Sequence, residues 1–387
     1  MNFVNLSLLY KEELLQNVIP FWLEKSQDNQ FGGYFTCLKR NGEVFDTDKF
    51  IWLQARQVWL FSYLYNKVEK RPAWLKCAIQ GGEFLKKWGH DGQYNWYFSL
   101  TREGKPLVAP YNIFSYTFAA MAFGQLYLAT GNEEYAHIAK VTYQTILSRT
   151  DNPKGKRNKA IPGSRDLKGF ALPMIICNLS LELEPLLEEK ILNHTIETCI
   201  HEVMEIFYKP ELGLIVENVT AEGNLSDSFE GRQVNPGHTL EAMWFIMDLG
   251  VRQNNPELIE KAVGIALKAA DYGWDKEYEG FFYFMDREGA PPQQLEWDQK
   301  LWWVHTEALV CMIKGYHLTG SEKCLEWFNK IHDYTWKHFK DPEHPEWFGY
   351  LNRRGEVLLE SKGGKWKGCF HVPRSLYQCW QILEKCK

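Results

Sequence analysis

Six side chains able to move protons or hold negative charge stand near the starts of apolar helical stretches. They are Arg56, His238, Glu241, His305, Glu307 and His371. Imidazole titrates near neutrality and can both take and give a proton, while a guanidinium is a fixed cation for a developing oxyanion. The run Asn235-Pro236-Gly237-His238-Thr239-Leu240-Glu241 predicts a helix start, with Asn235 as cap and Pro236 at the first helical position. That register puts His238 in the first turn, where the positive end of the helix dipole favours a neutral imidazole. Glu241, three residues on, shares its face and is expected to orient it.

These residues share a phase because the chain repeats. Aromatic-rich strands around a polar-Gly turn, then an apolar helix, recur with turn glycines at 42, 104, 223, 289 and 355. The spacings are 62, 119, 66 and 66 residues; 119 is about two periods, so a degenerate copy is expected between Asp151 and Leu183, with its helix at Ala171 to Leu183. Second helices are expected at Pro72 to Trp88, Glu133 to Ser148, Glu188 to Phe207, Pro256 to Tyr272 and Glu322 to His338. Six helix pairs that close on themselves cover every apolar face without end caps. The chain therefore reads as all-α, a single (α/α)6 toroid over residues 1–387 with short hairpins on one rim, against an open helical array. Counted from its turn glycine, Arg56 falls at +14, His238 at +15, His305 and His371 at +16, and Glu241 and Glu307 at +18. A ring would bring all of them to one mouth.

Composition narrows the class. A net charge of −5 gives no reason to expect nucleic acid or an anionic membrane as partner. Aromatic content is 15%, with 16 Trp and 19 Tyr, and such residues suit a cleft that stacks on sugar faces. Nine cysteines, odd in number and without a C-x-x-C pair, read as thiols of a reducing compartment. No signal peptide or long apolar run is recognised, so a cytoplasmic location is expected.

Other chemistries fit less well. No H-E-x-x-H occurs, and no metal is expected. The basic loop Asn152 to Lys159 holds a Gly-Lys pair, but Thr150 and the residue after Lys156 break the phosphate-loop pattern. Asp46 with Asp48, or Asp275 with Glu279, would be needed for an inverting glycosidase, whereas the phased positions are mostly His and Arg.

With the phased residues in hand, the chain resembles the N-acylglucosamine 2-epimerase family, also called renin-binding protein. The motifs Trp52-Leu53-Gln54-Ala55-Arg56, Pro236-Gly237-His238-Thr239-Leu240-Glu241, Trp302-Trp303-Val304-His305-Thr306-Glu307 and Phe370-His371-Val372-Pro373-Arg374 carry the resemblance along essentially the whole chain. It implies catalytic roles for His238, His371, Arg56 and Glu307, and a sugar site lined by Glu241, His305, Trp302, Trp303, Asn178, Tyr111 and Arg374. Cellobiose 2-epimerases and aldose–ketose isomerases look similar at these motifs but usually carry a further His near the third inner helix. Here that helix offers Met174 and Asn178, which favours an N-acetylhexosamine substrate. The implied reaction opens the sugar ring and inverts C2 through an enediolate, with a histidine on each face and no cofactor. The resemblance also implies ATP as an allosteric activator, for which Lys154, Lys156, Arg157 and Lys159 are the expected phosphate cradle. A homodimer is expected.

Overall fold

Nearly continuous apolar runs make the inner helices, and interrupted ones make the outer helices. In Ile113–Thr130 almost every residue from Ser115 to Leu126 is buried. In Glu322–His338 burial is confined to Cys324, Phe328, Ile331, Tyr334 and Thr335, a stripe at spacings of three and four that covers one face. The computed structural model describes residues 2–111, 113–155, 161 and 163–386. Among the described residues six inner helices follow one another: Ile51–Lys67, Ile113–Thr130, Ala171–Leu183, Pro236–Arg252, Trp302–Thr319 and His371–Lys385. Each packs on the next. Trp59 on Phe370 and Tyr63 on Tyr377 join the last to the first, with ring centroids 5.2 Å apart in both pairs. The outer layer is Phe3–Glu12 continued through Ile19–Lys25, then Pro72–Trp88, Glu133–Leu147, Glu189–His201, Pro256–Gly273 and Glu322–His338. The chain is an (α/α)6 toroid, not an open array.

The hairpins set the depth at which each inner helix begins. All five turn glycines have positive φ, from 73° to 95°, a region where a side chain would be strained. Each donates its N–H to the carbonyl three residues earlier, as Gly42 does to Lys39 and Gly355 to Asn352. The short strand leading into an inner helix pairs with the next hairpin: Lys49–Phe50 with Ser99–Leu100, Gln233–Val234 with Met285–Asp286, and Lys300–Leu301 with Tyr350–Leu351. The degenerate copy keeps the pattern, with Leu167–Gly169 pairing Asn218–Thr220 and its helix at Ala171–Leu183. The inner helices thus start on one rim.

That rim is stapled by a repeated ion triad. Asp28 accepts from Lys49 at 2.9 Å and Arg102 at 2.9 Å; Asp275 accepts from Lys300 at 3.0 Å and Arg353 at 2.8 Å. Asp341 accepts from Lys362 and Arg40, both at 2.7 Å, so the last hairpin is tied to the first. Burial alone would raise these carboxyls, but the hydrogen bonds from their Arg and Lys partners outweigh it and hold Asp28 and Asp275 at about 2, with Asp341 lower still. At the lysines burial wins: Lys300 and Lys362 are held at about 8, which leaves them charged at neutral pH. Because the carboxyl pKa values are depressed in the fold, their contribution is complete above the ordinary Asp value near 4 and is lost as pH falls toward 2. Asp341→Asn, which leaves the buried Lys362 without its counter-charge, is expected to lower stability by about 3–5 kcal/mol, read as a drop in melting temperature at pH 7. An unchanged melting temperature would show that the closure does not depend on this triad.

Candidate active site

Two of the three phased histidines, His238 and His371, are fixed by a carboxylate on Nδ1. Asn235 caps the fourth inner helix by accepting from the His238 backbone N–H at 3.1 Å, with Pro236 in the first turn as expected. The partner of the His238 ring is Glu217, whose two oxygens lie 3.0 and 2.9 Å from Nδ1. His371, the first residue of the sixth inner helix, has its Nδ1 2.7 Å from Glu307. A carboxylate only accepts, so in both rings Nδ1 carries the donated proton and Nε2 is the atom left for chemistry. The Trp303 indole contacts both rings, with centroids 5.2 Å from His238 and 5.9 Å from His371. Gly237 makes this approach possible: a Cβ there would meet the Trp303 ring and Val304 at 2.8 Å.

Below them runs a charged network. Glu307 accepts from Trp244 Nε1 at 2.9 Å and pairs with Arg374 at 2.8 Å, and Arg374 also donates to Glu241. The donor atoms of Glu241, Glu307 and His371 lie within 4.8 Å of one another, a spacing suited to a cation. Arg374 already bridges the two carboxylates with its own positive charge. Arg56 is different: 8% exposed, it has no carboxylate partner among the described residues, and its Nε finds no acceptor. Its guanidinium is held by aromatic faces, 4.5 Å from Trp52, 4.0 Å from Phe118 and 4.5 Å from Phe370. Burial lowers it to about 9, with Glu241 pulling the other way, so it is a cation at neutral pH. A buried cation near His371 with no carboxylate partner among the described residues is a ready partner for a substrate oxyanion.

The two histidines differ in charge preference. Burial pushes His371 well below the ordinary range, and the nearby Arg56 cation adds to it. For His238 burial also acts downward, but the Glu217 charge and hydrogen bond outweigh it and the pKa is raised.

The N-acylglucosamine 2-epimerase (GlcNAc 2-epimerase) pattern matches residues 33–373. A mouse N-acylglucosamine 2-epimerase is 39% identical over 384 residues, covering 96% of this chain and 90% of that protein. The chain belongs to the N-acylglucosamine 2-epimerase family. A Bacteroides fragilis cellobiose 2-epimerase is 23% identical, with 96% of this chain and 97% of that protein covered. Among solved structures, a cellobiose 2-epimerase from Bacillus thermoamylovorans superposes with a TM-score of 0.84 at 22% identity, covering 98% of this chain and 99% of that one.

Within this family fold, three expectations from sequence are corrected. The His238 pKa is raised and not lowered, because burial is outweighed by the Glu217 carboxylate in direct contact. Its partner is Glu217 and not Glu241, which Arg374 engages. His305 does not line the site: it is fully buried, with Nδ1 2.7 Å from the Leu301 carbonyl and Nε2 accepting from the Phe281 N–H at 2.9 Å. Residues two apart on a helix lie about 200° apart, so with Glu307 facing the axis His305 must face the outer layer, where burial holds it neutral at about 3. Asn178, about two turns into its helix, lines a cavity of about 230 Å³ with Glu182, Trp59 and Arg374. Tyr111 is half-exposed, stacked on Phe98 at 5.2 Å, two aromatic neighbours removed from Trp52 through Trp366. Trp302 packs on Tyr350 at 5.1 Å and flanks His371 at 6.4 Å. Lys154 is exposed, and Lys156, Arg157 and Lys159 lie outside the described residues.

Proposed function

We propose that the chain is an N-acylglucosamine 2-epimerase that interconverts N-acetylglucosamine and N-acetylmannosamine. The observation that carries this reading is the pair of carboxylate-held imidazoles that both contact Trp303, with the buried Arg56 cation, unpaired among the described residues, near His371. Ring opening exposes the C1 aldehyde and acidifies the C2 proton. One imidazole Nε2 takes that proton, and the electron pair moves into an enediolate whose oxygen faces Arg56. The other imidazole returns a proton to the opposite face of C2. Glu307 and Glu217 hold the rings, Trp303 offers a stacking face, and Arg374 bridges Glu241 and Glu307. The same pairing speaks against a glycosidase, which needs one carboxyl protonated as its acid.

No cofactor takes part in this scheme. A homodimer in the cytoplasm is proposed; the described residues hold nine unpaired cysteines, and none of their helices is long and apolar enough to cross a membrane. ATP as an activator acting through the loop with Lys154 rests on the resemblance alone; turnover that does not rise as ATP is added would remove it. The substrate is tested by incubating the protein with N-acetylmannosamine, cellobiose and mannose in parallel and following products by NMR. N-acetylglucosamine is expected to form fastest, from N-acetylmannosamine. Turnover of cellobiose or mannose without it would overturn the reading.

A further inference from the structure

His238 and His371 have the same local design, an Nδ1 on a carboxylate, but not the same surroundings. Glu307 on the His371 side is shared with Arg374 and with the Trp244 indole, so its charge is largely spent elsewhere. Glu217 has no cation: its oxygens face the His238 ring alone among the described residues, and both lie within hydrogen-bond distance. It is placed by the hairpin that precedes the helix, where its N–H donates to the Gln233 carbonyl at 3.0 Å and its carbonyl accepts from the Phe170 N–H at 2.9 Å. Backbone just ahead of the third and the fourth inner helix therefore fixes the residue.

Resting on the epimerase reading, we propose that Glu217 is a positioning residue that polarises the histidine pair, holding His238 as proton donor while His371 starts as proton acceptor. Most of the charged groups that face the pair push the two rings in opposite directions, although Glu307 sits on the His371 Nδ1. Glu217 from the hairpin and Glu241 from its own helix favour a cationic His238, and Tyr283, near Glu217, is kept protonated by burial and adds no charge. Around His371 the Arg56 and Arg374 cations and His238 itself oppose a second positive charge, with Glu241 acting against them. In one direction His371 takes the C2 proton as His238 gives one to the other face; the pair ends with its charge exchanged, and exchange with water or the reverse turnover resets it.

The test is the pH profile of kcat/KM in wild type, Glu217→Gln and Glu217→Asp, together with the imidazole ¹⁵N titration of His238. The alkaline limb reports loss of the His238 proton. In Glu217→Gln it is expected to move to lower pH by about one unit or more, equally in both directions of the reaction, since a carboxylate within about 4–6 Å shifts a neighbour by that much. Glu217→Asp, which keeps the charge, is expected to fall between, and serves if the Gln variant does not fold. A lower rate with the limb and the ¹⁵N midpoint unmoved would reduce Glu217 to a structural contact and overturn the proposal. If wild type epimerises no sugar, the proposed function fails, and the ¹⁵N midpoint of His238 still decides the role of Glu217.

Discussion

His371→Asn is expected to lower epimerisation by about 10²–10⁴-fold, the range for loss of a positioned acid–base group, and yet to keep part of the chemistry. His238 remains on its Glu217 support, able to remove and return the C2 proton of whichever epimer points that proton at it. In deuterated water the variant should exchange the C2 proton of one of the two N-acetylhexosamines without inverting it. His238→Asn should exchange that of the other. The two also differ with pH. His238 has a raised pKa and must lose its proton before it can act as a base, so exchange in His371→Asn should climb as pH rises through neutrality. His371 is held well below the ordinary range, so exchange in His238→Asn should already be complete in rate at mildly acidic pH. Exchange of the same epimer by both variants would replace two bases with one.

Arg56→Lys is expected to cut kcat by about 10²-fold with little change in KM, the size of effect seen when one oxyanion donor is removed. The reason lies in how Arg56 is held. With Trp52, Phe118 and Phe370 within 4.5 Å and no acid partner among the described residues, the guanidinium is positioned by its flat faces. A lysine ammonium keeps the charge but not the planar shape, so it would wander within the box or withdraw toward water. Losses confined to KM would make Arg56 a binding contact, and an unchanged kcat would remove it from the chemistry.

The repeat made much of this readable in sequence, since equal distances from a turn glycine become equal depths on a ring. That is why Arg56, His238, Glu307 and His371 meet in one place. Depth is only one coordinate, however. Rotation about the helix is the other, and a count that treats His305 like His371 ignores the two-residue step that turns His305 away from Glu307. Glu217 escaped because it precedes its turn glycine, in the hairpin where polar residues are ordinary. Only the pairing of that strand region with Gln233 and Phe170 brings it to the His238 ring. A signal was available: a carboxylate just before the turn of the one hairpin whose helix begins Pro-Gly-His. Asn178 shows the same limit from the other side, a polar residue on an inner helix placed about two turns in, below the layer where Arg374 bridges the acids.

The two-histidine inversion is tested most directly by following wild-type turnover of N-acetylmannosamine in deuterated water at early times. N-acetylglucosamine carrying deuterium at C2, formed while the remaining N-acetylmannosamine is still protiated, is the expected result. Product that retains the original proton, or deuterium entering substrate as fast as product, would contradict it.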